Sequence, residues 1–267
     1  MYSSLAPSLA ALASLLPAAW LGWRPIGRGR DKSLYAALAL AFIGPTWFVL
    51  AQLHGQWRTG FADAVWVSVA ATMGLFLLLV AATRDAWRLT PLLMPLLLLF
   101  GLLGTLWHNL PERPVAGTVP AGWLDAHILF ALATYGLLTI AAAASGAVFL
   151  QERAFKAKQP GRLSRLLPAI AESERLEVAL LATAEAVLAL GVLSGMAAQY
   201  FLGRSLLPFD HKTLFSLAAF VVIGALLIAR RAIGLRGRRV ARLGILAFLL
   251  LTLAYLGVKF VTDVLLA

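Results

Sequence analysis

Charged residues divide the chain into eight apolar runs, at roughly 4–22, 33–53, 61–82, 89–107, 124–150, 177–200, 213–229 and 241–264. A helix of about 20 apolar residues crosses a hydrocarbon layer about 30 Å thick, so each run is long enough to span a membrane. Within that layer water cannot satisfy backbone amides, which leaves only helices and closed barrels as spanning structures. Barrel strands alternate in polarity, whereas these runs are continuous and rich in Leu and Ala. The expected fold is therefore all-α, a polytopic bundle of about eight transmembrane helices forming a single domain over residues 1–267. A mean hydropathy of +0.86 supports that reading.

Charge sets the expected orientation. Of the 23 Lys and Arg, 18 lie in or beside the connections that follow runs one, three, five and seven. Four others, Arg58, Arg113, Arg204 and Lys212, occupy the remaining connections, and Lys259 lies in the last run. Short loops rich in Lys and Arg stay in the cytoplasm, so both termini are expected outside. No Lys or Arg precedes the first run and a basic cluster follows it, so that run is expected to remain as a helix with its N-terminus outside. The longest connection, 151–176, carries Leu163, Leu166, Leu167 and Ile170 among basic residues. That pattern predicts a short interfacial helix, broken at Pro168, resting on anionic lipid. The net charge of +11 is spread in clusters between membrane runs, which points to membrane lipids rather than nucleic acid as partner.

The absence of cysteine excludes disulfides, thiolate metal sites and covalent haem attachment to this chain. Nucleotide-binding, hydrolase and zinc-protease motifs are missing as well. Four histidines remain, His54, His108, His127 and His211, and all fall at the predicted outer ends of the runs. Imidazole ligates metals and haem iron, but loop histidines are also ordinary solvated residues. Glu185 lies near the middle of the sixth run, where an unpaired carboxylate is costly, and is either a proton-relay group or a hydrogen-bonded structural one. Glu177 is expected at the interface. The tryptophans suit interfacial belts, with stacking on a planar ligand as the alternative. The small-residue stretches AAAASGA (141–147) and GVLSG (191–195) predict close helix packing.

Several stretches together resemble the cytochrome c assembly protein family, which includes CcsA, HemX-like proteins and the YpjD type, the last being the nearest in appearance. They are DAHILFALATYGLL (125–138), FLQERAFK (149–156), LLPAIAESERLE (166–177), FDHKTLFSL (209–217) and GLRGRRVARLGILAFLLLTLAYLGVKFV (234–261), with a looser likeness in LAQLHGQWRTGFADAVWVSVAA (50–71). The resemblance implies a multi-pass protein of the bacterial inner membrane that handles haem at the outer face during cytochrome maturation. Its implied partners are haem, cytochrome c maturation proteins and apocytochrome.

Haem-handling relatives carry a Trp-rich loop ending in a Trp-Asp-Pro-Lys-like run. In FDHKTLFSL, Asp210 and Lys212 are retained, Phe209 replaces the Trp and His211 replaces the Pro. The resemblance thus makes His127 and His211 the expected iron ligands, Asp210 and Lys212 their neighbours, and His54 and His108 reserve ligands. The Trp-rich part is absent from YFLGRSLLPF (200–209), and no His precedes the basic segment in GALLIARRAIGLRGRR (224–239). An accessory haem-handling protein is therefore expected rather than a complete cytochrome c synthase. The residues alone also leave open a membrane scaffold without a small-molecule site, or a transporter using Glu185.

Overall fold

The computed structural model describes residues 5–24, 31–53, 60–108, 121–158, 161–203, 205–206 and 210–265. Helices α1 (Leu5–Gly22), α2 (Lys32–Leu53), α3 (Phe61–Ala82) and α4 (Thr90–Leu106) form the first half, with a 3₁₀ turn, Ala86–Leu89, leading into α4. The second half comprises α5 (Ala121–Lys156), the short α6 (Arg162–Leu166), α7 (Ile170–Phe201), α8 (His211–Ile233) and α9 (Arg238–Thr252). Beyond α9 the chain continues through a π-helical turn, Leu253–Gly257, a short α segment, Val258–Phe260, and a second π turn, Val261–Leu265. Among the described residues, eight helical spans are long and apolar enough to cross a membrane, in register with the eight runs read from sequence.

Helix α5 is the hub, packing against α3, α4, α7 and α9. Two-thirds of the residues in its most apolar stretch are buried, against about a sixth for α8, which is peripheral. Small side chains explain that centrality. Ala141, Ala144, Ser145 and Ala147 are all fully buried and let neighbouring backbones approach closely, as the AAAASGA stretch predicts. Hydrogen bonds between membrane helices average only about 0.6 kcal/mol, so close packing over this small-residue face supplies most of the cohesion. Several buried hydroxyls are satisfied within their own helices: Ser68 donates to the Ala64 carbonyl, Thr72 to Ser68 and Thr139 to Tyr135. That local bonding removes polar groups from the apolar interior. In the first half, Trp66 is buried against Phe48. A Cβ at Gly104 would lie 3.0 Å from the Trp66 indole nitrogen, which makes glycine the side chain that fits there.

At the arginine-rich end the connection 151–176 is more ordered than expected. With 36 and 32 residues, α5 and α7 extend to about 54 and 48 Å, well beyond a bilayer core. Their projecting ends take in much of the predicted loop. Gln151 donates to the carbonyls of Ser164 and Pro168, and Arg88 donates to those of Arg165 and Leu166. Leu167 is buried. The short helix exists, but it is stapled to protein on one side. The α8–α9 turn is fastened at the same end: Gly234 and Gly237 both have φ of +67°, the Gly237 amide donates to Glu174, and Arg238 pairs with Glu152 at 3.4 Å.

Candidate functional site

At the opposite end, where His108, His127 and His211 lie, α5, α7, α8 and the last helix enclose a cavity of about 440 Å³. Its wall is mainly apolar, from residues such as Ile128, Leu188, Met196 and Leu251, with a few polar groups entering from different helices. His127 comes from α5, Gln199 from α7, Asp210 and Lys212 from the start of α8, and Tyr255 and Lys259 from the last helix. The volume falls within the range of roughly 300–1,000 Å³ found for small-molecule and cofactor sites.

His127 is the best-held polar group in that wall. Its Nδ1 lies 2.9 Å from the Ser194 hydroxyl, and that hydroxyl donates its one proton to the Gly191 carbonyl at 2.9 Å. With the hydroxyl proton on that carbonyl, Ser194 accepts from the ring, and this network corresponds to the Nδ1–H tautomer with the lone pair on Nε2. A nitrogen in that state is the form that ligates a metal, and a hydrogen bond at the other ring nitrogen is the usual device for orienting a ligating imidazole. One turn earlier, the Trp123 indole donates to the Ser194 carbonyl at 2.9 Å and ties the start of α5 to the same segment of α7.

Asp210 and Lys212 reach the cavity by different routes. Asp210 is the N-cap of α8, accepting from the Thr213 amide at 2.8 Å and satisfying one of the orphan donors of that helix. Partial burial raises its pKa, but the Thr213 amide and hydroxyl, with Lys212 and His211, outweigh that and hold the carboxyl below its ordinary range. Lys212 begins a cavity-facing stripe with Thr213, Ser216 and Leu217. His211 is exposed and is not among the cavity residues, because a helical step of about 100° carries it towards exposed Leu214.

The structure thus brings together His127, Asp210 and Lys212 but not His211. His108 lies two residues beyond the end of α4, its Nδ1 3.0 Å from the Thr105 carbonyl, and is not among the cavity residues. His54 lies outside the described residues. No group of three or more His, Asp and Glu that could hold a metal occurs among the described residues.

Two groups in the wall were not singled out from sequence. Lys259 sits within electrostatic reach of Lys212, Asp63 and Asp263. Tyr255 packs on buried Tyr135 with ring centroids 5.7 Å apart, and the π-helical turn that holds Tyr255 forms part of the wall. Such turns inside helices occur frequently at functional sites, a signal visible only in the backbone. No described tryptophan lines the cavity. Trp47, Trp20 and Trp23 are exposed as a belt would be, while Trp66 is core.

Two acids on α7 pack against neighbouring helices. Glu177 is fully buried, its Oε1 accepting from Ser145 and lying 3.1 Å from where a Cβ on Gly244 would be. α7 starts at Ile170, two turns earlier than the apolar run suggests, so Glu177 lies within a helix already packed on α5 and α9. Glu185 packs against α8, where a Cβ on Gly224 would lie 2.9 Å from its Oε1, and its Oε2 finds no hydrogen-bond partner among the described residues.

Fold and cavity together define a multi-pass helical membrane protein with a ligand-sized apolar cavity at one end of its second half. Residues 32–266 match the family described as Cytochrome C assembly protein. A protein of Azospirillum brasilense described as "Uncharacterized 28.8 kDa protein in nifR3-like 5'region" is 51% identical over 270 residues, covering all of both chains. No solved structure matches. The chain belongs to the cytochrome c assembly protein family, and that membership supports a role in cytochrome c maturation.

Proposed function

We propose that the cavity receives haem at the outer face of the bacterial inner membrane and that the chain is an accessory protein of cytochrome maturation, of the YpjD type. The observation that carries this reading is His127, held through Nδ1 by Ser194 with its Nε2 lone pair available, in an apolar cavity that also receives two lysines. The residues suit that ligand. His127 would hold the iron, the apolar wall would take the macrocycle, and Lys212 and Lys259 would meet its carboxylates as point charges. Haem supplies redox chemistry when bound. The chain's own contribution is to orient the imidazole and exclude water. The family's maturation role supplies the partners, an apocytochrome or other maturation proteins. Sidedness follows from the basic segments, which would face the cytoplasm at the other end.

The test is an absorption spectrum of protein purified from haem-supplemented cells. Haem bands in wild type that are lost in His127→Ala, with folded yield unchanged and His108→Ala unaffected, support the reading. Replacing Lys212 and Lys259 with Gln should weaken binding while leaving the band positions of the remaining complex unchanged. Featureless wild-type spectra, or bands indifferent to His127→Ala, would overturn it in favour of a membrane scaffold.

A further inference from the structure

A second concave site lies at the arginine-rich end, far from the haem cavity. It has a volume of about 310 Å³ and is lined by Gly22 and Arg24 at the end of α1, Trp87 and Arg88 before α4, and Arg162 and Arg165 on α6. We propose that this pocket binds the phosphate-bearing headgroup of an anionic phospholipid, with the acyl chains lying along α1.

Four guanidinium groups from three separate parts of the chain converge there. Among the described residues, none of the four forms an ion pair with a carboxylate. Like charges gathered around one pocket repel one another, and an anion between them removes that cost. Guanidinium is also the side chain best matched to phosphate oxygens, through paired N–H donors.

The pocket is held in place by its own hydrogen bonds. Arg88 spends Nε and Nη2 on the Leu166 and Arg165 carbonyls, which fixes α6 over the pocket. Arg162 donates to the Trp23 carbonyl and joins the same segment to the end of α1. Arg24 lies 3.5 Å over the Trp20 ring, which presets its direction at the rim. Arg165 makes no side-chain hydrogen bond among the described residues and stays available to a ligand.

A separate observation selects a lipid over a free anion. On α1, Leu5, Leu9, Leu16 and Trp20 are all exposed. Their spacing of four, seven and four places them on one helix face, an apolar track that ends at the Trp20–Arg24 pair and so at the pocket rim. A phospholipid matches both parts, chains on the track and phosphate among the arginines. Inorganic phosphate matches only the second.

The full-length protein in detergent can be titrated with phosphatidylglycerol, phosphatidylcholine or inorganic phosphate, and bound molecules counted by native mass spectrometry. Wild type is expected to retain phosphatidylglycerol in preference to phosphatidylcholine, with no displacement by millimolar inorganic phosphate. Arg24→Gln combined with Arg165→Gln removes two exposed charges and should weaken retention roughly thirty-fold. Arg231→Gln, at the same end but outside the pocket, should change nothing. The pair Arg24→Lys and Arg165→Lys keeps the charge and should recover part of the binding, which separates a binding defect from a folding defect. Equal retention in wild type and the Gln pair would overturn the proposal. Displacement of the lipid by inorganic phosphate, with the same sensitivity to the Gln pair, would overturn it too by assigning the pocket to a free anion.

Discussion

Gly195 and His127 approach so closely that a Cβ on the glycine would lie 3.1 Å from the imidazole Cε1. The ring therefore lies directly against the backbone of α7, one residue after Ser194, which accepts its Nδ1 proton. The GVLSG stretch is a packing face, as its composition implies, but what packs into it includes the polar group on which the haem reading depends. Fixing the ring from two sides restricts its rotation before any ligand arrives, and preorganisation of that kind lowers the cost of binding.

Replacing Ser194 with Ala removes the acceptor for Nδ1–H, and Gly195→Val forces the ring out of its seat. Loss of such a supporting group weakens metal affinity by about 10- to 100-fold. Haem titration of the purified variants, read by absorbance, should show that loss for Ser194→Ala and a larger one for Gly195→Val. Unchanged affinity in both would show that ring orientation contributes nothing.

Glu177 should tolerate Gln and reject Lys. Glutamine keeps an oxygen that can accept from Ser145, so the expected destabilisation is within about 1 kcal/mol. Lysine would place a cation in a buried site near Arg230 and Gly244. Thermal unfolding followed by size-exclusion chromatography should separate the two, with folded yield falling sharply only for Lys.

Glu185→Gln keeps the shape that fits against Gly224. Under the haem reading, cytochrome maturation in a complementation assay should match wild type. A folded Gln variant that fails to complement would instead favour a proton-coupled transporter.

Asp210→Ala removes the cap of α8 and should cost about 1 kcal/mol of stability. The folded carboxyl titrates below its ordinary value of 3.8, so its contribution is fully present above that pH. It is lost as the pH falls through the lower folded value. Stability curves of wild type and Asp210→Ala should thus run parallel at neutral pH and converge only in strong acid. A difference that vanishes near pH 6 would rule out this capping role.

Reporter fusions after Lys158 and Arg239 should read cytoplasmic and a fusion at the C-terminus external, since both basic connections lie at the arginine-rich end. A cytoplasmic C-terminus would reverse the sidedness and place the cavity on the inner face.

The eight spans were legible because membrane insertion depends on local composition: about 20 apolar residues commit a segment whatever its neighbours do. The Ala-rich face of α5 and the basic ends were readable for the same reason, being properties of contiguous residues. The charged triplet proved divisible. Asp210 caps α8, Lys212 turns into the cavity and His211 turns away, because adjacent residues on a helix diverge by about 100° however close they stand in the chain.

What composition could not decide is which helices meet and how far each extends. Hydropathy detects where a helix leaves lipid, not where it ends, so the projecting turns of α5 and α7 looked like loop. The Ser194–His127 pair joins positions 67 residues apart, and Lys259 reaches the cavity from a helix whose pattern reads simply as a final span. Spans are set by transfer of local apolar surface into lipid, whereas the cavity is set by the packing of four helices whose shared faces exist only once they touch.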